Sequence, residues 1–437
     1  MSAILLASTP VHGHVTPLLA VSRFLVDAGH SVRFLTGKRY RDAVEATGAV
    51  FLPLPAEADY DDSDVDAAFP GRVGRTGVAG IRYDMATIFL RPAGAQLRAL
   101  DAAIADEQTD AVLTESLFFG SIALSLRPRS ERPAVLNLGI VPLGLTSRDT
   151  APFGLGLQPR PGVLGRARNA LLSVVSQRLI FGGIQRQARQ YVADSTGARL
   201  DTFFMDSAAL ADSVVQFSVE AFEYPRSDLA TRVHFVGPVS RTAPSATPLP
   251  EWWNELDGSR PVVHVTQGTV ANRDYGELIA PTIDGLADTD VLVVVSTGGR
   301  DVSTLGPLPS NVRAAEYLPY AELLARTDVY VSNGGYGGVH YAMEHGVPIV
   351  VAGTTEDKAE VSARIAWSGV GVSLATNRPT AKQVRDGVLE VLGSPSYRRE
   401  SARIGARIVA APGLAGLENA IDEAVRGVPS VNPASLT

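Results

Sequence analysis

Residues 328–358 read DVYVSNGGYGGVHYAMEHGVPIVVAGTTEDK, and this stretch decides the fold. It begins with Val329, Tyr330 and Val331, β-forming residues without helical spacing. Glycine then crowds the chain, with Gly334, Gly335, Gly337 and Gly338 around Tyr336. Residues 339–345 read as a short helix closed by Gly346 and Pro348, and residues 348–352 as a second strand before a polar loop ending at Asp357. Strand, glycine turn, helix and strand make a βαβ unit. The first N–H groups of such a helix have no partner within it and its dipole is positive there, which suits a phosphate or pyrophosphate. Glycine lets that ligand approach the backbone. The glycines alone are weak evidence, since many α/β proteins use them only to turn tightly.

Working outward, a chain of 437 residues is too long for one core and implies two domains. Its apolar share of 45% includes no run of membrane-spanning length. The first residues, MSAILLAST, run straight into a strand with no basic region or cleavage site. The expectation is a cytoplasmic protein. Cysteine is absent, which excludes disulfides, thiol nucleophiles and thiolate-held metal. A net charge of −7 gives no electrostatic support to nucleic-acid binding.

Residues 3–8 form an apolar strand and 9–16 the turn after it; Pro17 then opens a helix over 18–28. Residues 31–36 are the next strand, with others expected at 49–54, 111–114, 134–138 and 214–217. Helices between them, one near 82–100, make a doubly wound parallel α/β sheet with ligands at the carboxyl ends of its strands. The acidic run 59–66 (DYDDSDVD) reads as a solvated, mobile loop, not as a metal-binding Asp-x-Asp, because no apolar strand precedes it. Residues 142–165, rich in glycine and proline, read as a long loop. Residues 237–250 (GPVSRTAPSATPLP) look like a linker. A second α/β pattern follows, with strands at 262–266 and 291–296.

Strand, polar residue, two glycines, an aromatic, two glycines, helix, Gly-Val-Pro and a closing Glu-Asp together resemble the donor signature of nucleotide-sugar glycosyltransferases. These are family 1, UDP-glycosyltransferase-like enzymes of the macrolide and antibiotic type. The resemblance in organisation covers nearly the whole chain. It implies the GT-B fold, two doubly wound Rossmann-like domains facing a cleft: an acceptor domain over 1–236, a linker over 237–250, and a donor domain over 251–415. The last segment, 416–437, would carry a helix back to the first domain.

In the sequence His-Gly-His-Val-Thr-Pro over residues 12–17, imidazole is the side chain suited to take a proton from an acceptor hydroxyl near neutral pH. The family's base is a histidine followed by two residues and a proline, which matches His14 in His14-Val15-Thr16-Pro17. His12 is a neighbour, equally readable as a turn residue. A base histidine works best with its other nitrogen held by a carboxylate. The family's acidic residue after a central strand falls on Glu115, where aspartate is commoner.

On the donor side the resemblance assigns the loop with Gly268 and Thr269, Ser296 at the end of the next strand, and Tyr317 and Leu318 where the nucleobase stacks. Tyr317 is equally readable as a core residue. Gly335, Gly337, Gly338 and Val339 would meet the diphosphate, and Asp357 and Lys358 the sugar. Three donor-side residues depart from the pattern. Asn333 stands where the family has a phosphate-contacting histidine, and Tyr341 where it has a ribose-binding glutamate. Lys358 replaces the usual glutamine. Met85, Phe118, Phe119 and Phe153, with His12, are acceptor-pocket candidates that also read as core.

The resemblance implies an inverting, metal-independent glycosyltransferase without a cofactor. Its partners would be a small-molecule sugar donor, UDP-glucose favoured over a dTDP-sugar, and a hydrophobic natural product carrying a hydroxyl, such as an antibiotic, macrolide, ansamycin or polyphenol. Two other readings stay open: a nucleotide-sugar epimerase of the same fold and a non-catalytic sugar-nucleotide-binding partner. A Rossmann oxidoreductase is disfavoured because the first turn lacks Gly-x-Gly-x-x-Gly.

Overall fold

Strands that are apolar on both faces belong in the middle of helix-covered parallel sheets, and a computed structural model of the chain places them there. The structure describes residues 1–239, 247–269 and 272–427, so half of the expected linker (240–246), Val270 and the tail beyond 427 lie outside the described residues. The first sheet contains β1 (Ala3–Ala7), β2 (Ser31–Thr36), β3 (Val50–Pro53), β4 (Ala111–Glu115), β5 (Ala134–Gly139), β6 (Ser213–Gln216) and β7 (Val233–Phe235). Its spatial order is β3-β2-β1-β4-β5-β6-β7. The second contains β8 (Val262–Thr266), β9 (Leu292–Ser296), β10 (Val312–Ala315), β11 (Val329–Ser332), β12 (Ile349–Val351) and β13 (Gly371–Ser373). Its order is β10-β9-β8-β11-β12-β13, and all pairings in both sheets are parallel.

Both sheets reverse direction of growth next to their first strand, between β1 and β4 and between β8 and β11. These are the switch points where α/β proteins open a crevice. Strands β7, β10 and β13, not expected from the sequence, are edge strands of three or four residues and only partly buried. They carry no long apolar run to announce them. The helix Leu414–Val425 buries Leu417, Ala420, Ile421 and Ala424 in the core of the first sheet beside Ile4, Leu6 and Leu136. Among the described residues no helix is long and apolar enough to cross a membrane.

Four local expectations need correction. The first helix runs His12–Asp27, so residues 12–16 are helical and not a turn. Pro17 lies in its second turn, where its missing N–H removes only the bond to the Gly13 carbonyl. The acidic run is not a free loop: Asp62 Oδ2 accepts the His12 N–H at 2.6 Å, and Oδ1 accepts from Arg39 at 2.7 Å and from the Tyr40 hydroxyl at 2.7 Å. It thereby caps the first helix from 50 residues away. The helix expected near 82–100 is two, Gly77–Tyr83 and Ala93–Asp106, joined by a wide π turn over Asp84–Leu90. The glycine-rich helix of the second sheet begins at Tyr336, three residues earlier than expected, with Gly335 as its N-cap.

Candidate active site

The carboxyl ends of β1 and β4 lie side by side, with Ala7 opposite Thr114. Chain leaving β1 enters the helix that carries His14, and β4 ends on Glu115. His14 Nδ1 stands 3.0 Å from Glu115 Oε2, a bent approach that has the distance of an ion pair without a linear N–H···O bond. Glu115 itself is fully held. Its Oε1 accepts the Thr9 hydroxyl at 2.8 Å and the Thr9 N–H at 3.2 Å, and its Oε2 accepts the Leu117 N–H at 2.6 Å. These contacts accommodate the extra methylene relative to aspartate. The His14 ring stacks on Phe89 of the π turn, 5.8 Å between centroids at 25°.

Burial works against a charged imidazole, but the adjacent Glu115 carboxylate outweighs it, helped by Asp357 and Glu356, and His14 is raised above its ordinary value. Burial likewise opposes the Glu115 carboxylate, yet His14, Leu117 and Thr9 hold it below the ordinary range. Asp357 and Glu356 belong to the loop after β12, so these charges bring the two halves of the chain to one place. Asp357 keeps a partly exposed surface while sitting deep among protein atoms, and that burial raises its carboxyl to about 6 against the pull of Lys358. The Lys358 ammonium contacts the Glu356 carboxylate.

In the second sheet, the helix Tyr336–Glu344 starts just beyond the carboxyl end of β11, next to that sheet's switch point. Gly337 is exposed, and a side chain there would meet open space. Gly338 is close-packed instead, a Cβ falling 2.8 Å from the Tyr330 hydroxyl. Gly335 is the N-cap. Val339 is no site residue: it is fully buried in the core and its N–H is taken by the Gly335 carbonyl at 3.1 Å. Asn333 spends an amide hydrogen on the Gln267 carbonyl at 2.8 Å, tying the loops after β8 and β11 together. Gly268, with φ +74°, and Thr269 are exposed beside it. The Ser296 hydroxyl is buried and donates to the Glu316 carbonyl at 3.3 Å, so it faces the protein. Tyr317 is 57% exposed, which excludes the core reading, and its hydroxyl packs where a side chain on Gly299 would stand. Leu318 beneath it is core. Tyr341 turns away, edge-on to Tyr320.

Of the acceptor candidates, Phe118 and Phe119 are each 1% exposed and lie in separate cores, Phe119 edge-on to Phe204. They line no pocket. Met85 packs against the second of these cores, and Phe153 is half-buried on the glycine-rich loop beside Gly144. His12 is half-buried at the helix start. Sequence reading missed Thr9, Leu117 and Phe89, whose roles arise from contacts and not from any local pattern. The π turn that carries Phe89 is a helix irregularity of the kind found at functional sites.

Two switch-point crevices facing each other, one with a His–carboxylate pair and one with an open helix N-terminus, are the architecture of a group-transfer enzyme on a nucleotide-linked substrate. The model of the erythromycin biosynthesis protein CIII-like C-terminal domain matches residues 280–422. The 4'-demethylrebeccamycin synthase of Lentzea aerocolonigenes is 42% identical over 92% of this chain and 94% of its own. A UDP-glucosyltransferase 1 of Beauveria bassiana is 33% identical over 92% and 90%. The calicheamicin glycosyltransferase CalG4 has the same fold, with a TM-score of 0.72 over 98% of this chain and 99% of that one at 22% identity. The chain belongs to the UDP-glycosyltransferase-like, antibiotic-type glycosyltransferases of GT-B fold, and it is a glycosyltransferase.

Proposed function

We propose that the enzyme moves a sugar, glucose from UDP-glucose in preference to a dTDP-sugar, onto a hydroxyl of a lipophilic natural product with inversion and without a metal. The observation that carries this reading is the His14–Glu115 pair facing Asp357 and the helix starting at Tyr336. Glu115 occupies the Nδ1 side, which leaves Nε2 for the acceptor. His14 takes the hydroxyl proton as the acceptor oxygen forms its bond to the anomeric carbon and the bond to the nucleotide diphosphate breaks. Charge growing on that diphosphate is met by the N–H groups of Tyr336, Gly337 and Gly338 and the helix dipole. Asp357 accepts from sugar hydroxyls, and Tyr317 offers its exposed face to the base. We place the domain boundaries at 236, 250 and 415. The UDP-glucosyltransferase named above supports the donor choice.

The test is mass spectrometry after incubation with UDP-glucose or dTDP-glucose and a panel of macrolide, ansamycin and flavonoid acceptors. Gain of one hexose with release of nucleoside diphosphate is expected, with UDP-glucose the better donor. Isomerised donor without an acceptor would replace this reading with an epimerase.

Because His14 must be neutral to accept a proton, kcat/KM should rise with pH through a midpoint above the ordinary histidine value. Glu115→Gln removes the charge that raises it. The acidic limb should then move to lower pH while the plateau falls about tenfold or more. An unmoved limb would show that His14 is not the titrating base. Gly337→Val tests the donor side, since the side chain has room in the protein. The variant should melt like the parent yet bind UDP at least about tenfold more weakly by calorimetry, a loss of about 1.4 kcal/mol or more. Unchanged UDP affinity would remove the helix start from the donor site.

A further inference from the structure

The glycine-rich segment around Gly154 is anchored by one carboxylate from the opposite sheet's helices. Glu360, third residue of the helix Lys358–Ser368 and 4% exposed, accepts at Oε1 the N–H of Gly154 at 2.9 Å and of Gly156 at 3.0 Å. Its Oε2 pairs with Arg364 Nη1 at 2.9 Å. Arg364, fully buried, reaches back to Glu223 Oε2 at 2.8 Å and to the Leu143 carbonyl at 3.3 Å, its guanidinium 4.2 Å from the centre of the Tyr224 ring. Glu223 Oε1 in turn accepts the Leu143 N–H at 3.0 Å. The start of the segment and its middle are therefore held by one chain of charges, Glu223–Arg364–Glu360, that crosses between the two sheets' layers.

The backbones are in close contact: a Cβ on Gly156, at φ +59°, would fall 3.0 Å from the Ala359 carbonyl. Leu155 and Leu157, between and after the anchored amides, are 41% and 40% exposed, so apolar burial does not hold this part of the loop down. The same helix begins one residue after Asp357. Parting the two layers strips Glu360 of its two glycine N–H donors and leaves it the Arg364 guanidinium of its own helix. Glu360 thus joins the loop to the helix that begins beside Asp357.

Resting on the reaction proposed above, we infer that Glu360 is a positioning residue that latches residues 142–161 over the cleft, so that acceptor capture is coupled to exclusion of water from the donor. When the latch fails, water takes the acceptor's place: its oxygen bonds to the anomeric carbon, its proton passes to His14, and the nucleotide diphosphate leaves.

Glu360→Gln keeps the size of the side chain and removes its charge toward Arg364. With UDP-glucose, the expected result is an acceptor KM raised about tenfold, a kcat within about threefold of the parent at saturation, unchanged UDP affinity, and free glucose released at least about fivefold faster per transfer. A purely structural role would lower the melting temperature and scale transfer and hydrolysis together; that outcome, or an unchanged acceptor KM, overturns the proposal. Hydrogen exchange on the unmodified enzyme gives a reading that does not depend on the variant folding. Adding UDP with acceptor should slow the Gly154 and Gly156 amides in step with those of residues 360–364, and independent protection of the two segments overturns the latch. If the unmodified enzyme neither transfers nor hydrolyses any donor, the reaction proposed above has failed, and the exchange experiment still decides the latch.

Discussion

Changing His14 to alanine should lower the transfer rate by about 10³-fold, within the span of about 10² to 10⁴ that positioned acid–base catalysis supplies. Donor affinity should stay within about twofold, because the contacts of the imidazole are Glu115 and Phe89, both in the first half of the chain. The variant should remain folded. Glu115 keeps three hydrogen bonds from Thr9 and Leu117 when the imidazole is gone, so its buried carboxylate is not orphaned. The control is His12→Ala: the capping bond to Asp62 comes from the His12 backbone N–H and survives the change. Its rate should stay within about threefold of the parent. Turnover of His14→Ala within tenfold of the parent in a single-turnover assay would remove this residue as the base.

The second large effect is on stability. Arg364 is the most voluminous fully buried side chain among the described residues. Burial alone would disfavour its charge, but Glu223 and Glu360 outweigh that and hold the guanidinium more firmly protonated than usual. Arg364→Met keeps the bulk and leaves two buried carboxylates facing each other. Removing one partner of such a group costs about 3–5 kcal/mol, a large part of the 5–15 kcal/mol by which folded proteins are held. The urea midpoint should fall accordingly. The Arg364→Met, Glu360→Gln double variant should recover about half of the loss, because Glu360 is the carboxylate left without its cation, whereas Glu223 keeps Arg226 Nη1 at 3.8 Å. A single variant within 1 kcal/mol of the parent would mean that water already reaches this cluster and screens it.

What could be read from the chain was local. The apolar runs at 3–8, 111–114, 262–266 and 329–331 declared buried parallel strands, because strands covered on both faces need apolar residues throughout. The glycines at 334–338 declared a helix start open to a ligand, and His14, three positions before Pro17, and Glu115 at the end of β4 were legible as positions. Phe118 and Phe119 were not, since an apolar residue in a core and one in a pocket leave the same mark in sequence. Tyr317, ambiguous in the chain, became an exposed ring only once Gly299 was seen beneath it. The edge strands β7, β10 and β13 were too short and too exposed to show a pattern.

The partnerships were decided by the tertiary structure. Glu115 meets Thr9 across 106 residues because β1 and β4 pair in register, Asp62 caps His12 across 50, and Glu360 holds Gly154 across 206. Periodicity and turn chemistry depend on neighbours within a few residues, so the sequence by itself specified which elements form and which side chains have the chemistry for transfer. Which of them touch depends on sheet register and on how the two halves pack, and only the folded chain determines that.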